Sequence, residues 1–293
     1  MQRILFTLIG LSVVAGCVRH VGDLSDMDRD NGSQYEYRVV HDQVYTPENW
    51  PESLGADIYM PESQMRLPAV LVIHGGGWEK GRTRSDMHDI AVQLAEAGYV
   101  AVNISYRFAP AYQFPAQLHD LQQAMHWIHA NAGTYQIDTD RIGGFGYSAG
   151  AHLVTLLAMV GEGDELDEPY GGPDTRLDAV VGGGTPSDLR KFDSGRLVRQ
   201  FLGGARQEIF AIYEQASPIT HITADDPPTF LYHGGWDQLV PVEHAQDMYA
   251  ELQQTGIESE LYINHAYGHI AMFLFGGGAV NEATGFLPLQ FNE

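Results

Sequence analysis

Hydrophobic positions along this chain fall into short runs broken by glycine, proline and acidic residues, and the spacing inside the runs changes from segment to segment. Residues 35–45 and 54–59 are rich in aromatic and β-branched side chains and read as strands around the turn TPENWPES. Residues 69–74, AVLVIH, are apolar without interruption after Pro68, the pattern of a strand buried on both faces. Residues 84–97 switch to helical spacing through Met87, Ile90, Ala91, Leu94 and Ala97 and stop at Gly98. A second buried strand follows over 100–105. An amphipathic helix over 114–132 then turns Leu118, Leu121, Met125 and Ile128 to one side. Further strands are predicted over 141–145, 179–181, 229–233 and 258–263, with helices over 151–160 and 242–252. This alternation predicts an α/β domain over 35–293: a mostly parallel, doubly wound sheet of about eight strands. Residues 186–221 are too long for an ordinary connection, and helical spacing at Leu197, Phe201, Ile209 and Tyr213 predicts a small helical cap there.

The N-terminus has a different pattern. Arg3 precedes an apolar run from Ile4 to Ala15, too short to span a bilayer but suited to a signal peptide over 1–16. The run closes on VAGC, which resembles the lipobox of bacterial lipoproteins, in which the cysteine is acylated. Cys17 is the only cysteine, so no intramolecular disulfide can form. The resemblance implies a lipid anchor on Cys17 and, with Val rather than Asp at position 18, an outer-membrane location. Residues 17–34 then read as the lipidated cysteine and a polar tether.

Composition narrows the range of ligands. With 38 acidic against 16 basic side chains the formal net charge is −22. Such a chain is repelled by nucleic-acid phosphates and by polyanions, which favours a neutral substrate. His126 and His129 share a helix face, but no third ligand spacing accompanies them, so no metal site is expected.

The candidate chemistry centres on GGFGYSAGAH, residues 143–152. Gly146-Tyr147-Ser148-Ala149-Gly150 matches G-x-S-x-G between a predicted strand and a predicted helix, the setting of a nucleophile elbow. A hydroxyl needs a base, and the base an orienting acid. Scanning downstream in the order Ser, acid, His, Asp237 in HGGWDQLVP and His269 in NHAYGHI each follow a predicted strand. Asp188 and His265 are the rivals for those roles. The glycine loop His74-Gly75-Gly76-Gly77-Trp78 lets backbone approach a substrate closely. Its Gly76 and Gly77 N–H groups, with Gly75 open, join Ala149 as oxyanion donors, and His74 braces the loop. Trp78, Tyr147, Trp236 and Tyr112 are candidates for lining a substrate pocket.

Five segments in order, HGGGWEKG (74–81), SYRFAPAYQFPAQLHD (105–120), DTDRIGGFGYSAGAHL (138–153), DDPPTFLYHGGWDQLVP (225–241) and YGHI (267–270), resemble the hormone-sensitive-lipase-like branch of the α/β-hydrolases. The likeness is strongest to its small bacterial acetyl- and feruloyl-esterase members. It implies the α/β-hydrolase fold and a serine carboxylesterase needing no cofactor, acting on short-acyl, acetyl or feruloyl esters that are small or linked to polysaccharide. Ala151 departs from the branch, which often has a third glycine there. GYSAGAHL also looks like kynurenine formamidases, so an arylformamidase is the alternative. A non-catalytic glycan-binding lipoprotein is the third reading, and oligomeric state is not legible.

Overall fold

The computed structural model describes residues 18–21, 34–193 and 195–290, with side chains as far as Leu287. The predicted signal peptide and Cys17 lie outside the described residues.

The strands are β1 (Val18–Val21), β2 (Tyr37–Val44), β3 (Gly55–Pro61), β4 (Leu67–Ile73), β5 (Val100–Ile104), β6 (Ile137–Tyr147), β7 (Ala179–Gly183), β8 (Thr229–Gly234) and β9 (Ser259–Asn264). They form one nine-stranded sheet in the order β1-β9-β8-β7-β6-β4-β5-β3-β2. The pairs from β5 through β4, β6, β7 and β8 to β9 are all parallel. The two ends are antiparallel, where β2 and β3 add to β5 and β1 adds to β9. The parallel strands are apolar on both faces because helices cover both. Helices α2 (Ala116–Tyr135), α3 (Ala149–Met159) and α6 (Glu243–Thr255) pack on one face. Helices α1 (His88–Glu96) and α8 (Gly277–Gln290) pack on the other, with Ala91, Leu94, Ala283 and Phe286 buried against Val70, Ala101, Val181 and Phe230.

Two expectations change. Residues 18–21 are a strand, not tether: they pair with 261–264, and the His20 ring bonds the Glu260 carboxylate at 2.6 Å. His269 does not sit in a loop; it opens α7 (His269–Phe275), with Gly268 as N-cap. The expected cap region holds two short helices, α4 (Arg196–Leu202) and α5 (Phe210–Gln215), linked to 3-10 turns on either side.

The sheet order reverses direction at β4, because α1 carries the chain out to β5 and α2 carries it back across to β6. Open α/β sheets leave a crevice at the carboxyl ends of their strands at such a point. The loops after β4, β6, β8 and β9 all open there.

Candidate active site

Ser148 joins β6 to α3 with φ 55° and ψ −121°, a strained conformation for a residue with a side chain. Its N–H donates to the Gly183 carbonyl at 2.7 Å, and its carbonyl accepts from His152 N–H at 2.9 Å. The turn closes only because its flanks lack side chains. A Cβ on Gly146 would stand 2.5 Å from the Gly150 carbonyl, and one on Gly150 would strike the Ile73 and His74 carbonyls. The hydroxyl is thereby lifted above the sheet at the N-terminus of a buried helix, where the helix dipole favours negative charge.

Asp237 lies in the loop after β8. Its Oδ1 accepts the N–H groups of Leu239 (2.9 Å) and Val240 (2.8 Å). Its Oδ2 accepts from His269 Nδ1 at 2.5 Å. A carboxylate can only accept, so Nδ1 carries the proton and Nε2 presents its lone pair. Nε2 lies 2.8 Å from Ser148 Oγ. Burial of Asp237 raises its pKa, but bonds from His233 and His269 outweigh it and hold the carboxyl well below the usual carboxylate range.

The elements bring Ser148, Asp237 and His269 into one hydrogen-bonded line and leave the rivals elsewhere. Asp188 caps the 3-10 turn after it and binds the Arg190 guanidinium at 2.8 Å. His265 is exposed to solvent.

The glycine loop faces the serine. Gly76 and Gly77 have φ of +116° and +62°, and Trp78 follows at +59°. The positive φ at 77 favours glycine, and a Cβ there would stand 2.7 Å from a Leu197 methyl carbon, which would have to move. His74 Nδ1 donates to the Gly75 carbonyl at 2.7 Å, and its ring stacks on Tyr106. Burial pushes its pKa down to about 4, so it is neutral. The Trp78 indole donates to His152 Nδ1 and stacks on Phe201 of α4, tying this loop to α3 and to the cap. A cation bond repeats the tie, with Arg196 of α4 spanning both Glu79 oxygens at 2.8 and 3.0 Å.

These groups line a cavity of about 420 Å³, within the range of small-ligand sites. Gly75, Gly76, Gly77, Ser148, Ala149 and His269 form its floor. Its walls are Phe192, Leu197, Val198, Leu239, Ile270 and Phe273, with Arg82, Asp86 and Arg196 adding charge. Of the four aromatic candidates, Trp78 and Tyr147 line it. The Tyr147 hydroxyl also donates to the His269 carbonyl at 2.5 Å, holding the first turn of α7. Trp236 and Tyr112 are corrections. Trp236 is 75% exposed and lies outside the cavity lining, because its loop turns the ring away as Asp237 turns in. Tyr112 packs under the Arg107 guanidinium and is likewise absent from the lining.

Sequence reasoning missed His233. It is fully buried, its Nε2 donates to the Val240 carbonyl at 2.8 Å, and the same nitrogen stands 3.3 Å from Asp237 Oδ2. Its place four residues before the acid was the available signal. The cavity walls were missed too, because they are apolar side chains from segments far apart in the sequence, two of them short helices.

The sequence profile of the BD-FAE family matches residues 56–252, the stretch that carries the glycine loop, the elbow and Asp237. The chain belongs to the BD-FAE family. This BD-FAE chain is 32% identical over 216 residues to the probable carboxylic ester hydrolase LipM of Mycobacterium tuberculosis, covering 71% of itself and 50% of LipM. It is 32% identical over 237 residues to esterase LipC of the same organism, covering 77% of itself and 58% of LipC. It therefore spans about half the length of these relatives. Among solved structures, a truncated carbohydrate esterase from gut microbiota superposes with a TM-score of 0.79 at 22% identity, covering 89% of this chain and 99% of that one. The BD-FAE chain thus has the α/β-hydrolase fold that its sheet order and elbow imply.

Proposed function

We propose that this protein hydrolyses short-acyl carboxylic esters through Ser148, His269 and Asp237. One observation carries the reading: the line from Ser148 Oγ to His269 Nε2 at 2.8 Å and from His269 Nδ1 to Asp237 Oδ2 at 2.5 Å. Ser148 Oγ attacks the ester carbonyl as His269 Nε2 takes its proton. Asp237 holds the imidazole in the required tautomer and stabilises the imidazolium, a role suited to a carboxylate that stays ionised far into acid. The N–H groups of Gly76, Gly77 and Ala149 meet the oxyanion on the cavity floor. His269 then protonates the leaving alkoxide, and water repeats the sequence on the acyl-enzyme. No cofactor enters these steps. The family match and the ester-hydrolase names of LipM and LipC support the same reaction class.

The protein is read as exported and acylated at Cys17 in the outer membrane, on the strength of the apolar run and VAGC. Its −22 charge suits a neutral ester, small or carried on a neutral polysaccharide. A series of p-nitrophenyl esters of rising chain length, beside acetylated xylan and N-formylkynurenine, tests the reading. Turnover of the acetyl to butyryl esters above the formamide is expected. Preference for N-formylkynurenine would assign an amidase instead.

A further inference from the structure

We propose that the mouth of the active site docks against the lipid surface to which the chain is anchored, so that the enzyme works face-down on its membrane. The inference rests on acylation of Cys17, proposed above.

The first argument is where the chain enters the fold. β1 runs antiparallel to β9, and its first residue, Val18, pairs with Asn264. Asn264 is the last residue of β9, at the carboxyl edge from which His269 is delivered. The same Asn264 pairs with Gly234, and its carbonyl accepts from Gly235 in the loop that carries Asp237. Residue 17 is one peptide link from Val18, about 3.8 Å between Cα atoms. An acyl group on Cys17 would therefore attach next to this edge of the sheet.

The second argument is what that edge exposes. Trp236 (75%), Leu239 (62%), Ile270 (54%), Leu274 (61%) and Phe275 (67%) are open to solvent, and Val18 joins them. Trp236 and Leu239 flank Asp237, while Ile270, Leu274 and Phe275 lie on α7 behind His269. Leu239 and Ile270 also line the cavity, so the apolar face rims its opening. Leu239 and Ile270 meet at the cavity and Leu274 lies one turn after Ile270 on α7, so exposed apolar side chains group at this opening, as at a contact surface, and tryptophan favours the membrane interface.

The third argument is charge. Residues 261–281 contain no Asp, Glu, Lys or Arg, and residues 229–242 contain only the buried Asp237. In a chain of net charge −22 this face can approach lipid headgroups without repulsion. No single helix among the described residues is long and apolar enough to cross a membrane; α7 and α8 reach that length only as a pair bent by 68°, and α8 buries Ala279, Val280, Ala283, Phe286 and Leu287 within the fold, so the contact proposed is interfacial.

The test uses the full chain made in a bacterial host, purified in detergent and reconstituted into phosphatidylcholine vesicles with brominated acyl chains. The mass of the N-terminal peptide reports acylation of Cys17, and tryptophan fluorescence reports contact. Expected are an acylated peptide, bromine quenching in the wild type, loss of that quenching component in Trp236→Phe, and its return in Trp236→Phe/Phe275→Trp. Vesicle-bound enzyme should also cleave acetylated xylan more slowly than detergent-dispersed enzyme, while p-nitrophenyl acetate is turned over equally, because the polymer competes with the bilayer for one face. An acylated protein whose quenching is the same in wild type and Trp236→Phe overturns the docking but leaves the anchor standing. The same result with a dimer in detergent assigns the face to a second copy and equally overturns it. An unmodified Cys17 removes the anchor reading and the docking with it.

Discussion

The floor of the active-site cavity and its walls are built in opposite ways. The floor is backbone: a left-handed serine between glycines that admit no Cβ, and a glycine loop whose conformation Leu197 and Trp78 enforce. The walls are side chains, with Phe192, Leu197 and Val198 from the cap segment, Leu239 from the loop that carries the acid, and Ile270 and Phe273 from α7, the helix that carries the base. Floor positions tolerate almost no other residue, because atoms would overlap. Wall positions need only be apolar and of suitable size. Reaction type is therefore written into the first region and substrate choice into the second.

That contrast can be broken most forcefully at Asp237. Asp237→Asn keeps the shape but offers His269 the wrong tautomer, and should lower kcat by about 10³- to 10⁴-fold in a p-nitrophenyl acetate assay. A loss below tenfold would detach Asp237 from the mechanism. Next is the glycine loop: Gly77→Ala forces a Cβ against Leu197 at a positive φ and displaces the donors, with an expected loss of about 10²-fold in kcat at little change in KM. A pure KM effect would show that the loop binds substrate instead of the oxyanion. A wall change should act differently. Leu197→Ala enlarges the cavity and relieves the loop, so preference should move toward longer acyl chains by about tenfold in relative kcat/KM. Uniform loss across the series would mean that α4 supports the floor alone.

The smallest effect is on stability. Burial holds His74 and His152, beside the floor, down at about 4, while an unfolded imidazole titrates near 6.5. Between those values the unfolded chain binds more protons, so stability falls as pH drops through that window. His221, after the cap helices, has the opposite sign. Burial lowers its pKa, but the Asp164 carboxylate at 2.6 Å outweighs this and raises it. Its contribution is full below the ordinary imidazole value and is lost as pH rises through the raised one. Thermal melts should fall by a few degrees from pH 7 to 5, and more steeply in His221→Gln. A flat profile would contradict neutral burial of the floor histidines.

The same contrast explains what was legible in the amino-acid sequence. Most of β4 to β9 was readable because strands buried on both faces are largely apolar, and Ser148, Asp237 and His269 because backbone geometry restricts residue type over a few positions. β1 was hidden: four residues of mixed polarity become a strand only through pairing with β9. α7 and α8 were hidden because their run of apolar and glycine residues shows no helical period. Trp236 and Tyr112 misled because proximity in sequence to Asp237 or to a turn says nothing about where a ring points. The walls converge from the cap segment, the loop after β8 and α7, and only folding reveals them.

The most direct measurement is labelling with a fluorophosphonate followed by peptide mass spectrometry, since only a serine activated by a base reacts. The account predicts one equivalent of adduct on the peptide containing Ser148 in the wild type and none in His269→Ala. Ester hydrolysis that persists with Ser148 unlabelled, or an adduct on another serine, would contradict it.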